Sequence, residues 1–131
     1  MANDIESRAQ IEALLRAFYG AARRDALLGP IFEEAIPAER WEAHIQRVAA
    51  FWETVLFSVP RYRGSPFLPH LKLSLLPAHF ERWFQIFCQT IETHFEGPNA
   101  TRIIESAHKM AILFASKYNY YRTHPNEKPL T

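Results

Sequence analysis

A run of prolines and large apolar residues, Pro66-Phe67-Leu68-Pro69-His70-Leu71-Lys72-Leu73, interrupts an otherwise helical chain. Two prolines fix φ and remove backbone donors just before His70, so no long helix runs through it. The whole passage 58–76 also holds Pro60 and Gly64 and carries no helix or strand signal. Irregular segments of this length are uncommon inside compact domains and are usually functional or disordered. Disorder does not suit this one, which is aromatic and aliphatic rather than polar. An apolar, non-helical passage in a helical domain needs something to pack against.

The flanking sequence has helical periodicity. Ser7 reads as an N-cap, after which Ile11, Leu14, Leu15, Phe18, Tyr19 and Ala22 predict a helix over about 8–24, with residues 1–6 frayed. Gly29-Pro30 punctuates the chain, and Ile31-Phe32 reads as one short helical turn. Pro37 suits a first helical position, where its missing N–H is tolerated. The helix that follows, about 38–57, carries Trp41, His44, Ile45, Val48, Phe51, Trp52 and Val55 on one face. Leu56 and Phe57 make its second half apolar all round, which predicts deep burial. Pro77 opens a third helix, about 78–95, with Phe80, Trp83, Phe84, Phe87, Ile91 and Phe95 as its stripe. After Gly97-Pro98 a fourth, about 99–119, carries Ile103, Ile104, Ala107, Ala111, Phe114 and Tyr118. The tail from Tyr120 reads as loose. The expectation is a single all-α domain with a core of about 8–119, long enough to bury that core unaided.

Several function classes fall away. The net charge of +1 comes with no basic stripe, so a nucleic-acid partner has no electrostatic footprint. Uncharged runs are too short to cross a bilayer, and no signal-peptide pattern opens the chain. The one cysteine, Cys88, excludes an intrachain disulfide and fits a reducing compartment; it reads as a small buried hydrophobe. A cytoplasmic monomer is the expectation. There is no HExxH, no CxxC and no glycine-rich phosphate loop.

What remains is His70 and three donors. A loop histidine is by default a surface group, but the neighbours of His70 are Pro and Leu. Ligation of haem iron by one neutral imidazole is a standard mode. Such a ligand donates its other ring N–H to a carbonyl, and the carbonyls around Pro66 and Pro69 are candidate acceptors. His70 therefore reads as the ligand of a buried haem whose pocket walls are the helices. Taken singly, His44, Tyr19 and Trp83 would be core residues. Together they place a hydrogen-bond donor on the inner faces of three helices, and a polarised diatomic ligand on iron supplies the acceptor they need. His79, His94, His108 and His124 read as exposed.

In this order and spacing the residues resemble the truncated haemoglobins, most of all their third class. The matching stretches are Phe18-Tyr19, Arg24-Asp25 with Leu28-Gly29-Pro30-Ile31-Phe32, and Trp41-Glu42-Ala43-His44. They continue with Phe51-Trp52, Tyr62-Arg63-Gly64-Ser65-Pro66 leading to His70, and Phe80-Glu81-Arg82-Trp83 with Phe87. The Gly-Gly pairs usual near helix ends in the first two classes are absent, in agreement with the third. The resemblance implies a two-over-two helical sandwich around haem b, with His70 as proximal iron ligand and Phe32 stacked on the haem. It implies Tyr19, His44 and Trp83 on the distal side and Val48 lining the pocket, with Arg63, Lys72 and Tyr62 near enough in sequence to serve the propionates. The expected function is binding, and with it transport, of oxygen or another diatomic. Tyr19 and Trp83 would be the main donors and His44 a third donor, a gate or a direct iron ligand. The alternatives are a redox haem enzyme, peroxidase-like or nitric-oxide-detoxifying, fed by an external reductase, and a haem-free domain that docks a partner through 58–76.

Overall fold

The computed structural model describes residues 2–127. In chain order the helices are α1 (Arg8–Arg24), α2 (Gly29–Ala35), α3 (Trp41–Phe57), α4 (Pro77–His94) and α5 (Pro98–Thr123). Short 3-10 turns at Ala38–Arg40 and Leu68–Lys72 precede α3 and break the long connection. No strand forms among the described residues; one isolated bridge joins Asn3 to Phe95. Helix α1 packs on α3, α4 packs on α5, and α1 crosses α4. This is the two-over-two sandwich.

Local chemistry sets the boundaries. The Ser7 side chain accepts from the Gln10 N–H at 3.2 Å, and the Gln10 side-chain oxygen in turn accepts from the Glu6 N–H, a reciprocal cap of the first turn. At the other end of α1, the Asp25 carboxylate accepts the N–H groups of Leu27 and Leu28. It also pairs with Arg82 of α4 at 2.8 Å. Two of the matching sequence stretches, Arg24-Asp25 and Phe80 to Trp83, are thus one ion pair that holds α4 against the α1–α2 turn. Pro37 lies just before the 3-10 turn instead of opening α3. Thr54 in α3 accepts from the N–H groups of Arg61 and Tyr62, laying the start of the connection back along the helix.

Three expectations are corrected. Residues 3–6 are not frayed. The Glu96 N–H donates to the Asn3 carbonyl, Ile5 is fully buried, and the Asp4 carboxylate accepts from the Asn99 and Ala100 N–H groups at 3.0 and 2.9 Å. Asp4 thereby caps α5 from far away in sequence, where the N-cap residue Gly97 has no side chain to do so. Gly97 is at φ 143°, and a Cβ there would lie 2.5 Å from the Asp4 side chain. Local reading missed this because both partners are remote. Asp4→Ala should lose about 1 kcal/mol of stability, the usual worth of an N-cap, measurable as a lower urea midpoint.

Helix α5 runs to Thr123, beyond the expected end at 119. Its last turns have work to do: the Tyr118 hydroxyl accepts from the Leu75 N–H and donates to the Leu73 carbonyl. Arg122 donates to that same carbonyl and to the Tyr118 oxygen. Beyond α5 the tail expected to be loose turns back at 124–127, where the Glu127 N–H donates to the His124 carbonyl and the Tyr120 hydroxyl donates to the Glu127 carboxylate; residues 128–131 lie outside the described residues. Cys88 is half-buried, not core, and its thiol reaches the Glu92 carboxylate at 3.1 Å, which together with burial pushes it up to about 11.

Buried side chains fall into two clusters. The larger joins α1, α3, α4 and the start of α5 around Leu14, Phe18, Trp52, Phe87 and Ile103. The smaller is Phe67, Phe80 and Tyr118, with Leu71, Leu75, Phe114, Ala115 and Tyr121 packed on it. The 3-10 turn at Leu68–Lys72 and the end of α5 therefore have a core of their own.

Candidate functional site

His70 stands on the second 3-10 turn, anchored to the smaller cluster. Its backbone N–H donates to the Phe67 carbonyl at 2.9 Å, and its Nδ1 lies 3.2 Å from the same oxygen. A carbonyl only accepts, so Nδ1 carries the proton and Nε2 holds a lone pair. Burial lowers the imidazole pKa, outweighing the carbonyls of Phe67 and Pro66, which act to raise it. Phe114 lies against the ring at 5.3 Å. Among the described residues nothing bonds Nε2, and no unpartnered side-chain nitrogen is sealed from solvent. The lone pair therefore opens onto accessible space. Sequence pointed to the carbonyl acceptor near the prolines; it did not single out Phe114.

On the larger cluster, Tyr19 and His44 meet directly, hydroxyl to Nε2 at 2.9 Å. Tyr19 is 7% exposed, and burial raises its pKa so that it stays protonated. Burial, with Arg47 and His70 adding like charge, lowers the pKa of His44 to about 4. Both members of the Tyr19–His44 pair are neutral at pH 7. One tautomer of His44 donates Nε2–H to the tyrosine oxygen and leaves the hydroxyl proton free; the other takes that proton's bond for itself.

Around this pair Phe32, half-buried, has its ring 5.5 Å from Tyr19. Trp83 stacks on Phe87 at 5.1 Å, and Phe87 on Trp52 at 5.5 Å, so the α3–α4 contact sets its orientation. Phe18 bridges Trp83 and Tyr19, 6.0 Å from one and 4.9 Å from the other. Its indole N–H has no partner among the described residues. Val48, one turn beyond His44 on α3, is half-buried against the same cluster. Tyr19, His44 and Phe32 thus form one contact set, with Trp83 and Val48 on its flanks and His70 on the other cluster. Of the residues near the His70 turn, Arg63 and Lys72 are exposed and Tyr62 packs edge-on against Phe51 at 5.4 Å. His79 bonds the Leu76 N–H at the start of α4 instead of facing solvent alone.

One wall residue was not foreseen as part of this site. Trp41 lies 5.2 Å from Tyr19, 5.7 Å from His44 and 5.9 Å from Phe32. Its spacing of three from His44 puts both on one helix face, which was the available signal.

A stability prediction follows from His44. In the unfolded chain it titrates near 6.5 and in the fold near 4, so between those values the unfolded state binds the extra proton. Stability is fully present above pH 6.5 and falls as pH drops toward 4. His70, also shifted down, acts in the same direction. The urea midpoint of the haem-free protein should decline over that window, and His44→Gln should flatten the decline. An identical slope in the variant would contradict the assignment.

The fit of the site to a haem can be tested on its own geometry. A flat apolar macrocycle with one imidazole ligand needs an accessible, neutral Nε2 and apolar side chains to lie against; His70 supplies the first and the two apolar clusters the second. No family model matches the sequence. The group 3 truncated haemoglobin ctb of Campylobacter jejuni is 31% identical over 117 residues, covering 87% of this chain and 92% of its own length. The crystal structure of a group III truncated haemoglobin from Campylobacter jejuni superposes with a TM-score of 0.82 at 28% identity, over 90% of this chain and 95% of that one. With that relationship over nearly its full length, the chain belongs to the group 3 truncated haemoglobins.

Proposed function

We propose that the protein holds haem b between its two clusters, with His70 as the proximal iron ligand, and binds oxygen or another small diatomic molecule. The single observation that carries this reading is the neutral Nε2 of His70, oriented by the Phe67 carbonyl and left without a partner. When bound, haem would be held by His70 and would supply an iron able to coordinate a diatomic molecule reversibly. Phe32 and Val48 provide apolar surface, and Arg63, Lys72 and Tyr62 are the candidates for the propionates.

Distal chemistry belongs to Tyr19, His44 and Trp83. With His44 in the tautomer that donates Nε2–H, the Tyr19 hydroxyl aims its proton at the ligand; the Trp83 indole N–H is a second donor. In a buried site such donors need no reorganisation to act. A monomer in the cytoplasm, carrying oxygen or drawing on an external reductase, completes the proposal.

One observation favours a second reading, redox turnover. A distal imidazole kept neutral by burial can accept the proton of a hydroperoxide. Oxygen dissociation by rapid mixing and peroxide-driven dye oxidation on the same sample separate the two. Slow dissociation with negligible dye turnover supports ligand binding. Fast loss of oxygen with sustained turnover overturns it in favour of the peroxidase-like enzyme.

A further inference from the structure

Trp41 faces two ways. Besides its contacts with Tyr19 and His44, it lines an open surface hollow of about 500 Å³ together with Gly20, Arg23, Arg24, Gly29 and Glu33. The Arg23 guanidinium lies over the indole, 4.3 Å from the ring centre. A guanidinium held on an aromatic face is fixed in orientation and keeps its N–H edges free for a planar anion.

Neither Arg23 nor Arg24 makes a hydrogen bond or ion pair with any described residue, whereas Arg8, Arg16, Arg61 and Arg82 each meet a carboxylate. Glu33 lines the same hollow without coming within ion-pair distance of either. The position of both arginines in the last turn of α1 suits the partial negative charge of its carbonyls. That accounts for their sign, not for the indole platform or the hollow beside it. Small residues shape the floor: a Cβ at Gly20 would meet only the Arg24 guanidinium at 3.9 Å, and one at Gly29 would come 2.7 Å from the Arg23 carbonyl, so the start of α2 lies close against the end of α1.

We infer that this hollow is an oxyanion site, binding the phosphate or carboxylate group of a small molecule between Arg23 and Arg24, and that Trp41 passes its occupancy to the Tyr19–His44 pair. An anion that draws the Arg23 fork outward loosens its seat on the indole, and the indole is edge-on to both members of that pair.

The test is titration of the purified protein with inorganic phosphate and, separately, citrate, at ionic strength held constant with sodium chloride. Calorimetry reads binding and tryptophan emission reads Trp41. Saturable binding on the order of 1 mM or tighter is expected. Arg23→Gln and Arg24→Gln should each weaken it about tenfold, and Trp41→Phe should retain binding while losing the emission change. Preference for phosphate would assign a phosphate ester, preference for citrate a carboxylate. Absence of saturable binding for both anions would overturn the site. So would undiminished binding to the Arg23→Gln/Arg24→Gln protein with its helical circular dichroism intact.

Discussion

His70→Gly protein is expected to emerge colourless or to lose haem rapidly to an acceptor such as apomyoglobin, with its helical circular dichroism unchanged. The reason is that iron would lose its only protein ligand in this account while the packing that holds the proximal turn survives. Phe67 remains fully buried against Phe114, and Tyr118 still pins Leu73 and Leu75. Imidazole added to the buffer should restore haem retention by entering the space the side chain leaves. That rescue separates loss of a ligand from loss of a fold. A variant that retains haem as the wild type does, with no need for imidazole, would refute His70 as the proximal ligand.

Tyr19→Phe should raise the oxygen dissociation rate about tenfold to a hundredfold. A hydrogen bond to an acceptor carrying charge is worth roughly 1–3 kcal/mol, and each 1.4 kcal/mol is a factor of about ten. The substitution keeps the ring, so its edge contacts with Phe18, Phe32 and Trp41 persist; only the hydroxyl and its bond to His44 are removed. His44→Gln should have the smaller effect, because it leaves Tyr19 able to donate while weakening what orients it. Rapid mixing checks both. An unchanged rate in Tyr19→Phe would remove the hydroxyl from the mechanism.

Much of this architecture was legible in the sequence because it rests on local signals. Ser7 caps α1 where an N-cap was expected, the apolar stripes of α1, α3, α4 and α5 are the faces that pack, and the prolines before His70 leave room for a 3-10 turn only. What was not legible depends on partners distant in sequence. Asp4 capping α5, Tyr118 and Arg122 extending α5 to hold Leu73, and Asp25 bridging to Arg82 are long-range bonds with no periodic signature. The site divides in the same way. Tyr19 and His44 read as inner-face residues, but their direct 2.9 Å contact and the place of Trp41 beside both appear only when α1 and α3 are packed together.

Haem binding at His70 is decided by the absorption spectrum of the purified protein, supplied with haem, reduced and then exposed to oxygen. An intense Soret band that shifts when oxygen is added and persists is the expected result. No Soret band after haem is supplied would contradict haem binding by this chain.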